Sequence, residues 1–393
     1  MKAVILAGGK GERLRPLTNV MPKALAPVNG IPMIKHQIDN LITVGITEIL
    51  VLTGYRSDMI SNYLKAMYTN SEAEINCVKT PVDFSPAERL LDVSQEVGGT
   101  FLLLYCDNLV EDLLSIREVI KSHSPLTFLV EKREQGNVSI LPRVLYEPDR
   151  SQESPFVELG FIKIVVDSFF SKLRQMNSLQ MTLKELSREY DCTTVQTANS
   201  LQSVSDISRF NKLRRKRKTL LLDRDGILNK KMPARAYLSK IEDYILLEEN
   251  LDALAEYFSP STDYIIITNQ PGVATKKVSP EFLDSLHSQI ITEMLIRGMS
   301  VIGCYVCIHH WEDDCDCRKP KPGMINQAKA DYELHSENLV YIGDEDKDII
   351  ASKNANILGI KISKDGMPGS FYSISAASKE IDRRLSFLDS NRE

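Results

Sequence analysis

The chain has 393 residues, 43% hydrophobic and 26% charged, with a formal net charge of −5. That is a globular composition, long enough for two domains that each bury a core without disulfide staples. The negative balance argues against nucleic acid as a partner, and no run nears the roughly eighteen apolar residues of a membrane span.

Met1-Lys2 leads straight into a strand-like Ala3 to Ala7 without a secretory signal, so a cytoplasmic protein is expected. Further β-branched runs follow at Ile49 to Thr53, Phe101 to Tyr105 and Leu126 to Val130, alternating with amphipathic stretches such as Met33 to Val44. This is the βα alternation of a mostly parallel sheet, whose ligands lie beyond the carboxyl ends of the strands. The first run ends in Gly8-Gly9-Lys10-Gly11-Glu12-Arg13-Leu14, with Pro22-Lys23-Ala24-Leu25 shortly after. Glycines let backbone N–H groups close on an anion, although a glycine loop alone is equally a tight turn. Arg13 and Lys23 add two cations suited to a triphosphate and to pyrophosphate as it leaves.

Together, G-G-x-G-x-R-L-x-P-L-T and P-K-A-L-x-P-V resemble the signature of the sugar-1-phosphate nucleotidyltransferases. The resemblance implies a Rossmann-like nucleotidyltransferase fold in which Gly8, Gly9 and Gly11 wrap the nucleotide and Arg13 and Lys23 contact its phosphates. It also implies that Asp107, after Tyr105-Cys106, binds Mg²⁺, and that Glu158 and Gly160 belong to a sugar-binding segment. An exposed Glu before a turn reads the same way as that last segment. The chain departs from the family twice. Ser85-Pro86-Ala87-Glu88-Arg89-Leu90 stands where the family has Leu-Gly-Thr-Ala-Gly, and Ser203 to Asp206 matches the family's closing metal segment only loosely.

The basic run Arg214 to Lys218 reads as a solvated helix end or linker. It gives a division into residues 1–212, a linker at 213–218 and a second α/β domain at 219–393. Strand-like runs in this second part lie at Thr219 to Leu222, Tyr264 to Ile267, Val301 to Val306 and Leu339 to Ile342. The first ends in Asp223-Arg224-Asp225-Gly226, whose carboxylates share one face of an extended chain. With a cation present, one can attack phosphorus while the other moves the proton. An apolar strand before them, and no acidic ligands at calcium-loop spacing after them, argue against a plain metal loop.

Thr268-Asn269-Gln270, Arg318-Lys319-Pro320 and Gly343-Asp344 complete a set that resembles the haloacid dehalogenase superfamily. That implies Asp223 as nucleophile, Asp225 as acid/base, and Thr268, Asn269, Arg318 and Lys319 around the phosphate. Mg²⁺ is implied on Asp223, Asp225 and Asp344, with Asp348 behind them. Of seven cysteines, four crowd between Cys304 and Cys317, which suggests metal rather than disulfides. Cys307, His309, Cys315 and Cys317 form a compact set for a closed, structural Zn²⁺, with His310 and Cys304 as rival ligands.

The zinc loop followed by Arg318-Lys319-Pro320-Lys321-Pro322-Gly323 resembles the heptose 1,7-bisphosphate phosphatases; histidinol-phosphate phosphatases share much of it. The resemblances imply a bifunctional enzyme of GDP-heptose synthesis for lipopolysaccharide. One domain hydrolyses the 7-phosphate of D-glycero-D-manno-heptose 1,7-bisphosphate and the other transfers GMP from GTP to heptose 1-phosphate. The alternative is a histidinol-phosphate-type phosphatase carrying a catalytically weak, nucleotidyltransferase-like module. Partners are then sugar phosphates and a nucleoside triphosphate, with homo-oligomerisation left open.

Overall fold

A computed structural model describes residues 1–386 apart from 141, 198–201, 215, 216, 235 and 366. Two compact units emerge: Met1–Arg13, Pro22–Leu25 and Met33–Ser205 form one, and Leu14–Met21, Ala26–Pro32 and Asp206–Glu393 form the other. No helix among the described residues is long and apolar enough to cross a membrane.

In the first unit, β1 (Lys2–Ala7), β2 (Glu48–Thr53), β3 (Glu74–Lys79) and β4 (Thr100–Tyr105) pair in parallel in the order β3-β2-β1-β4. Beyond β4 the sheet turns antiparallel through β5 (Leu126–Lys132), β6 (Gly136–Ser139), β7 (Leu145–Ser151) and β8 (Phe156–Val165). A ninth strand, β9 (Thr193–Gln196), pairs with β5. Ala3, Val4 and Ile5 are fully buried because β1 has a neighbour on each side and packing on both faces. Helix α1 (Met33–Thr43) buries Met33, Ile34, Ile38 and Leu41, the face that its spacing specifies. Helix α2 (Pro86–Asp92) starts from a capping box of Ser85 with Glu88 and has Pro86 in its first turn.

The second unit is a parallel sheet of β10 (Lys218–Leu222), β11 (Thr262–Asn269), β12 (Ser300–Cys307), β13 (Leu339–Gly343), β14 (Leu358–Ile362) and β15 (Ser370–Phe371). Its order is β12-β11-β10-β13-β14-β15, a doubly wound arrangement. In each unit the chain builds outward on one side of its first strand and then returns to the other. The switch points are β1/β4 and β10/β13, where the α/β rule places ligands.

The basic run does not behave as a solvated linker at its described positions, and Arg215 and Lys216 lie outside them. Helix α3 (Ile207–Arg214) ends on Arg214, buried like Asp263, to which it donates through Nε at 3.0 Å. Arg217 Nε reaches the other oxygen of Asp263 at 2.7 Å, and the Ser300 hydroxyl donates to it at 2.7 Å. The charges fasten the start of β10 to β11 because each cation finds a desolvated carboxylate in reach. Asp263→Ala leaves two cations without their counterion, and we expect a loss of about 3–5 kcal/mol. Urea unfolding of the second unit measures it; a change under about 1 kcal/mol would contradict the clasp.

Candidate functional site

Asp223 follows β10 directly. Its Oδ1 accepts from Lys319 Nζ at 2.7 Å and from the Arg224 backbone N–H at 2.8 Å. Burial pushes its carboxyl up to about 7; Lys319 opposes the shift and Asp348 adds to it. Lys319 is itself buried and donates to the Ile267 carbonyl and the Tyr341 hydroxyl, both at 2.9 Å. It also lies 2.9 Å from Asp348 Oδ1. Asn269 fixes its backbone in return: Lys319 N donates to Asn269 Oδ1 and Asn269 Nδ2 donates to the Lys319 carbonyl, each at 3.1 Å. Thr268, buried at the same strand end, accepts from Gln270 Nε2 at 2.8 Å.

The carboxylates that gather are Asp223, Asp344 and Asp348, with ligand atoms within 4.8 Å of one another. Asp344 leaves β13 and Asp348 lies in the first turn of α4 (Asp346–Asn354), where it closes a capping box with Glu345. Asp344 Oδ1 is buried with no hydrogen-bond partner, the orphaned acceptor that a divalent cation satisfies, so these residues fit a hard, oxygen-seeking metal. Gly226 has φ 93°, and a Cβ there would strike the Asp344 carboxylate. Asp225 is not in this group. Burial raises its carboxyl, but Arg224 outweighs that, holding both oxygens at 2.8 and 2.9 Å, with Asn229 at 3.0 Å and Gln270 at 2.8 Å. Arg318 and Lys319 line the same cavity as Asp223 and Asp225, about 230 Å³ in volume, with Met232, Pro233 and Tyr237 also in its lining. Lys231, which motif reading passed over, donates to Asp344 Oδ2 at 3.0 Å and pairs with Glu345. Its position two residues beyond Asn229, in the irregular segment Lys-Lys-Met-Pro, was the available signal.

Cys307, His309, Cys315 and Cys317 converge, with neighbouring donor atoms 3.1–3.8 Å apart. Tetrahedral Zn–S bonds of about 2.3 Å place sulfurs about 3.8 Å apart, so the donor set fits a soft cation. Burial and the neighbouring thiols push Cys317 up to about 12, a repulsion that a bound cation removes. Cys304 and His310 lie outside the cluster: Cys304 sits in β12, and the His310 ring lies against Trp311. The Cys307 carbonyl accepts from Gln270 N–H at 2.7 Å, which ties the cluster to the Thr268 turn.

In the first unit, Gly8 and Gly9 leave β1, and Lys10, Gly11, Glu12, Arg13 and Lys23 line a cavity of about 550 Å³. Lys23 Nζ forms an ion pair with Asp107 Oδ2 at 2.6 Å, bringing the expected phosphate contact and metal candidate together at the β1/β4 switch point. Glu158 is half-buried in β8. It is not the exposed Glu of the plainer reading: its carboxylate accepts from Gly160 N–H, and Gly160 has φ 69° against Tyr105 and Asn108. Burial pushes Glu158 up to about 7. A folded-state value raised above the ordinary one means that stability declines as pH climbs from about 4.5 towards 7, by about 3 kcal/mol in all. Glu158→Gln is expected to flatten that slope in urea titrations at stepped pH; an unchanged slope would contradict it. Ser205 lines the cavity, whereas Asp206 belongs to the second unit and pairs with Arg209.

Residues 2–135 match the nucleotidyl transferase family model, and residues 218–358 match the family described as polynucleotide kinase 3 phosphatase. The D-glycero-beta-D-manno-heptose-1,7-bisphosphate 7-phosphatase of Pasteurella multocida is 32% identical over 158 residues, covering 39% of this chain and 84% of that protein. The chain belongs to the heptose-1,7-bisphosphate 7-phosphatase family. It does so through its second unit, and it adds to this phosphatase a nucleotidyl transferase domain. The D-glycero-alpha-D-manno-heptose-1,7-bisphosphate 7-phosphatase of Photorhabdus laumondii is 33% identical over 160 residues, 39% of this chain and 86% of that protein. A solved D,D-heptose 1,7-bisphosphate phosphatase of B. bronchiseptica, complexed with magnesium and phosphate, is 24% identical. It covers 42% of this chain and 98% of that one, with a TM-score of 0.38.

Proposed function

We propose that the chain catalyses two consecutive steps of nucleotide-activated heptose synthesis: hydrolysis of the 7-phosphate of D-glycero-D-manno-heptose 1,7-bisphosphate, then transfer of GMP from GTP to the resulting heptose 1-phosphate. One observation carries this reading. A heptose-1,7-bisphosphate 7-phosphatase family unit shares its chain with a nucleotidyl transferase domain, and the first makes the sugar 1-phosphate that the second would use. A histidinol-phosphate-type phosphatase would leave the first unit without a substrate.

Asp223 Oδ2, which has no hydrogen-bond partner among the described residues, attacks phosphorus. The bond from phosphorus to the sugar oxygen breaks, and that oxygen takes a proton from Asp225. Water then gives a proton to Asp225 as its oxygen attacks the aspartyl-phosphate, releasing phosphate and restoring both carboxyl groups. Arg224 favours the ionised form of Asp225 in the free site, so to act as the acid Asp225 must take up a proton as substrate displaces Arg224 or Gln270 from one oxygen. Lys319, Thr268 and Arg318 hold the transferring group. Asp223 and Asp344, with Asp348 behind, would hold a Mg²⁺ that would supply charge neutralisation for the phosphoryl group. Cys307, His309, Cys315 and Cys317 would hold a Zn²⁺ that would keep the loop before Lys319 in register. In the first unit, the sugar-phosphate oxygen attacks the α-phosphorus of the nucleotide while Arg13 and Lys23 neutralise departing pyrophosphate. A nucleoside triphosphate substrate fits a cytoplasmic enzyme.

Phosphate release from both anomers of heptose 1,7-bisphosphate and from histidinol phosphate tests the substrate. We expect a heptose anomer to be preferred by at least about a hundredfold in kcat/KM, the α anomer first; preference for histidinol phosphate would overturn the reading.

A further inference from the structure

Arg89 is the strongest feature that these reactions leave unused. It rises from α2 in the segment that replaces Leu-Gly-Thr-Ala-Gly, yet it is buried, 3% exposed. Its guanidinium donates through Nη2 to the Gly8 carbonyl at 3.2 Å and the Val82 carbonyl at 2.8 Å. Through Nη1 it donates to the Thr53 carbonyl at 3.2 Å and to the Thr80 hydroxyl. One side chain therefore ties the ends of β1 and β2 to the loop after β3. Gly8 and Gly54 make room for it, since a Cβ at either would strike the guanidinium. All four acceptors are neutral, and among the described residues no carboxylate forms an ion pair with it; nearby Asp83 is exposed and paired with Lys10 at 2.7 Å. The Glu88 and Asp83 carboxylates attract it without an ion pair, and desolvation outweighs them, so the charge is costly in the folded chain; it stands behind the glycine loop, beside a cavity that Gly11, Arg13, Lys23, Val82 and Asp83 line.

We propose that Arg89 is a positioning residue of the transferase site, fixing the Gly8 carbonyl and supplying the buried positive charge that pairs with the triphosphate of an incoming nucleotide. This rests on the transferase reading above. The fork explains why arginine stands here, since its planar donors reach three segments at once where lysine would reach one. It also gives Gly8 a reason in this chain that turn geometry alone does not.

The test uses the full chain with heptose 1-phosphate, Mg²⁺ and GTP, ATP, CTP and UTP in turn, following pyrophosphate. For the triphosphate that the wild type turns over, Arg89→Gln is expected to raise KM at least about tenfold with kcat within about threefold, and Arg89→Lys, which restores the charge but not the fork, to recover only part of the KM. An unchanged KM in Arg89→Gln, or loss of kcat alone, would overturn the inference; phosphate release serves as the check on folding of the second unit. Should Arg89→Gln not fold, the wild type decides. Its Arg89 Nε–H resonance, assigned by its loss in Arg89→Lys, is expected to shift on adding that triphosphate, and an unmoved resonance would overturn the proposal. A wild type that turns over none of the four defeats the transferase reading itself, and Arg89's role falls with it.

Discussion

Asp223→Asn is expected to lower kcat for phosphate release by at least about 10⁴-fold while the chain stays folded. The amide keeps the shape of the carboxylate but cannot form the aspartyl-phosphate. The site survives the change because Lys319 keeps Asp348, the Ile267 carbonyl and the Tyr341 hydroxyl as partners. Circular dichroism and pyrophosphate release by the first unit would check that only the phosphatase is lost. Residual turnover above about a hundredth of wild type would place the nucleophile elsewhere.

Stripping metal from the cysteine cluster, or Cys315→Ser, is expected to have the next largest effect. Structural zinc in small domains contributes about 10–16 kcal/mol, as much as a whole domain's stability, so even a fraction of it decides whether the loop holds. The loop runs from Cys307, paired in register with Asn269, to Cys317, two residues before Lys319. Losing the cation frees both ends of the Asn269–Lys319 amide pair. We expect a fall of more than about 10 °C in the thermal midpoint of the second unit and at least a tenfold loss of phosphatase kcat, restored by Zn²⁺ and not by Mg²⁺. Metal-stripped protein with an unchanged midpoint would contradict the structural role.

Ala3 to Ala7 and Thr219 to Leu222 were legible because β1 and β10 each lie between two parallel neighbours and have to be apolar throughout; both runs fall inside observed strands. The convergence of Cys307, His309, Cys315 and Cys317 was legible because they lie within eleven residues, leaving little for tertiary structure to decide. Asp225 was harder. Its alternation with Asp223 is real, but Arg224, also part of the motif, turns back and takes its carboxylate, which periodicity cannot register. The basic run misled for a related reason. A cluster of like charges reads as solvated unless its counterion is known, and Asp263 lies 46 residues beyond Arg217. Arg89 was visible only as a departure from a family pattern, since its partners at Gly8, Thr53 and Thr80 come from three separate segments.

The most direct test of the two-step reading is a single ³¹P NMR time course of the full chain with heptose 1,7-bisphosphate, GTP and Mg²⁺. The expected result is loss of the 7-phosphate resonance with release of inorganic phosphate, followed by pyrophosphate and the paired resonances of a sugar nucleotide. Accumulation of heptose 1-phosphate with GTP left intact, and equally with ATP, CTP or UTP in its place, would contradict it.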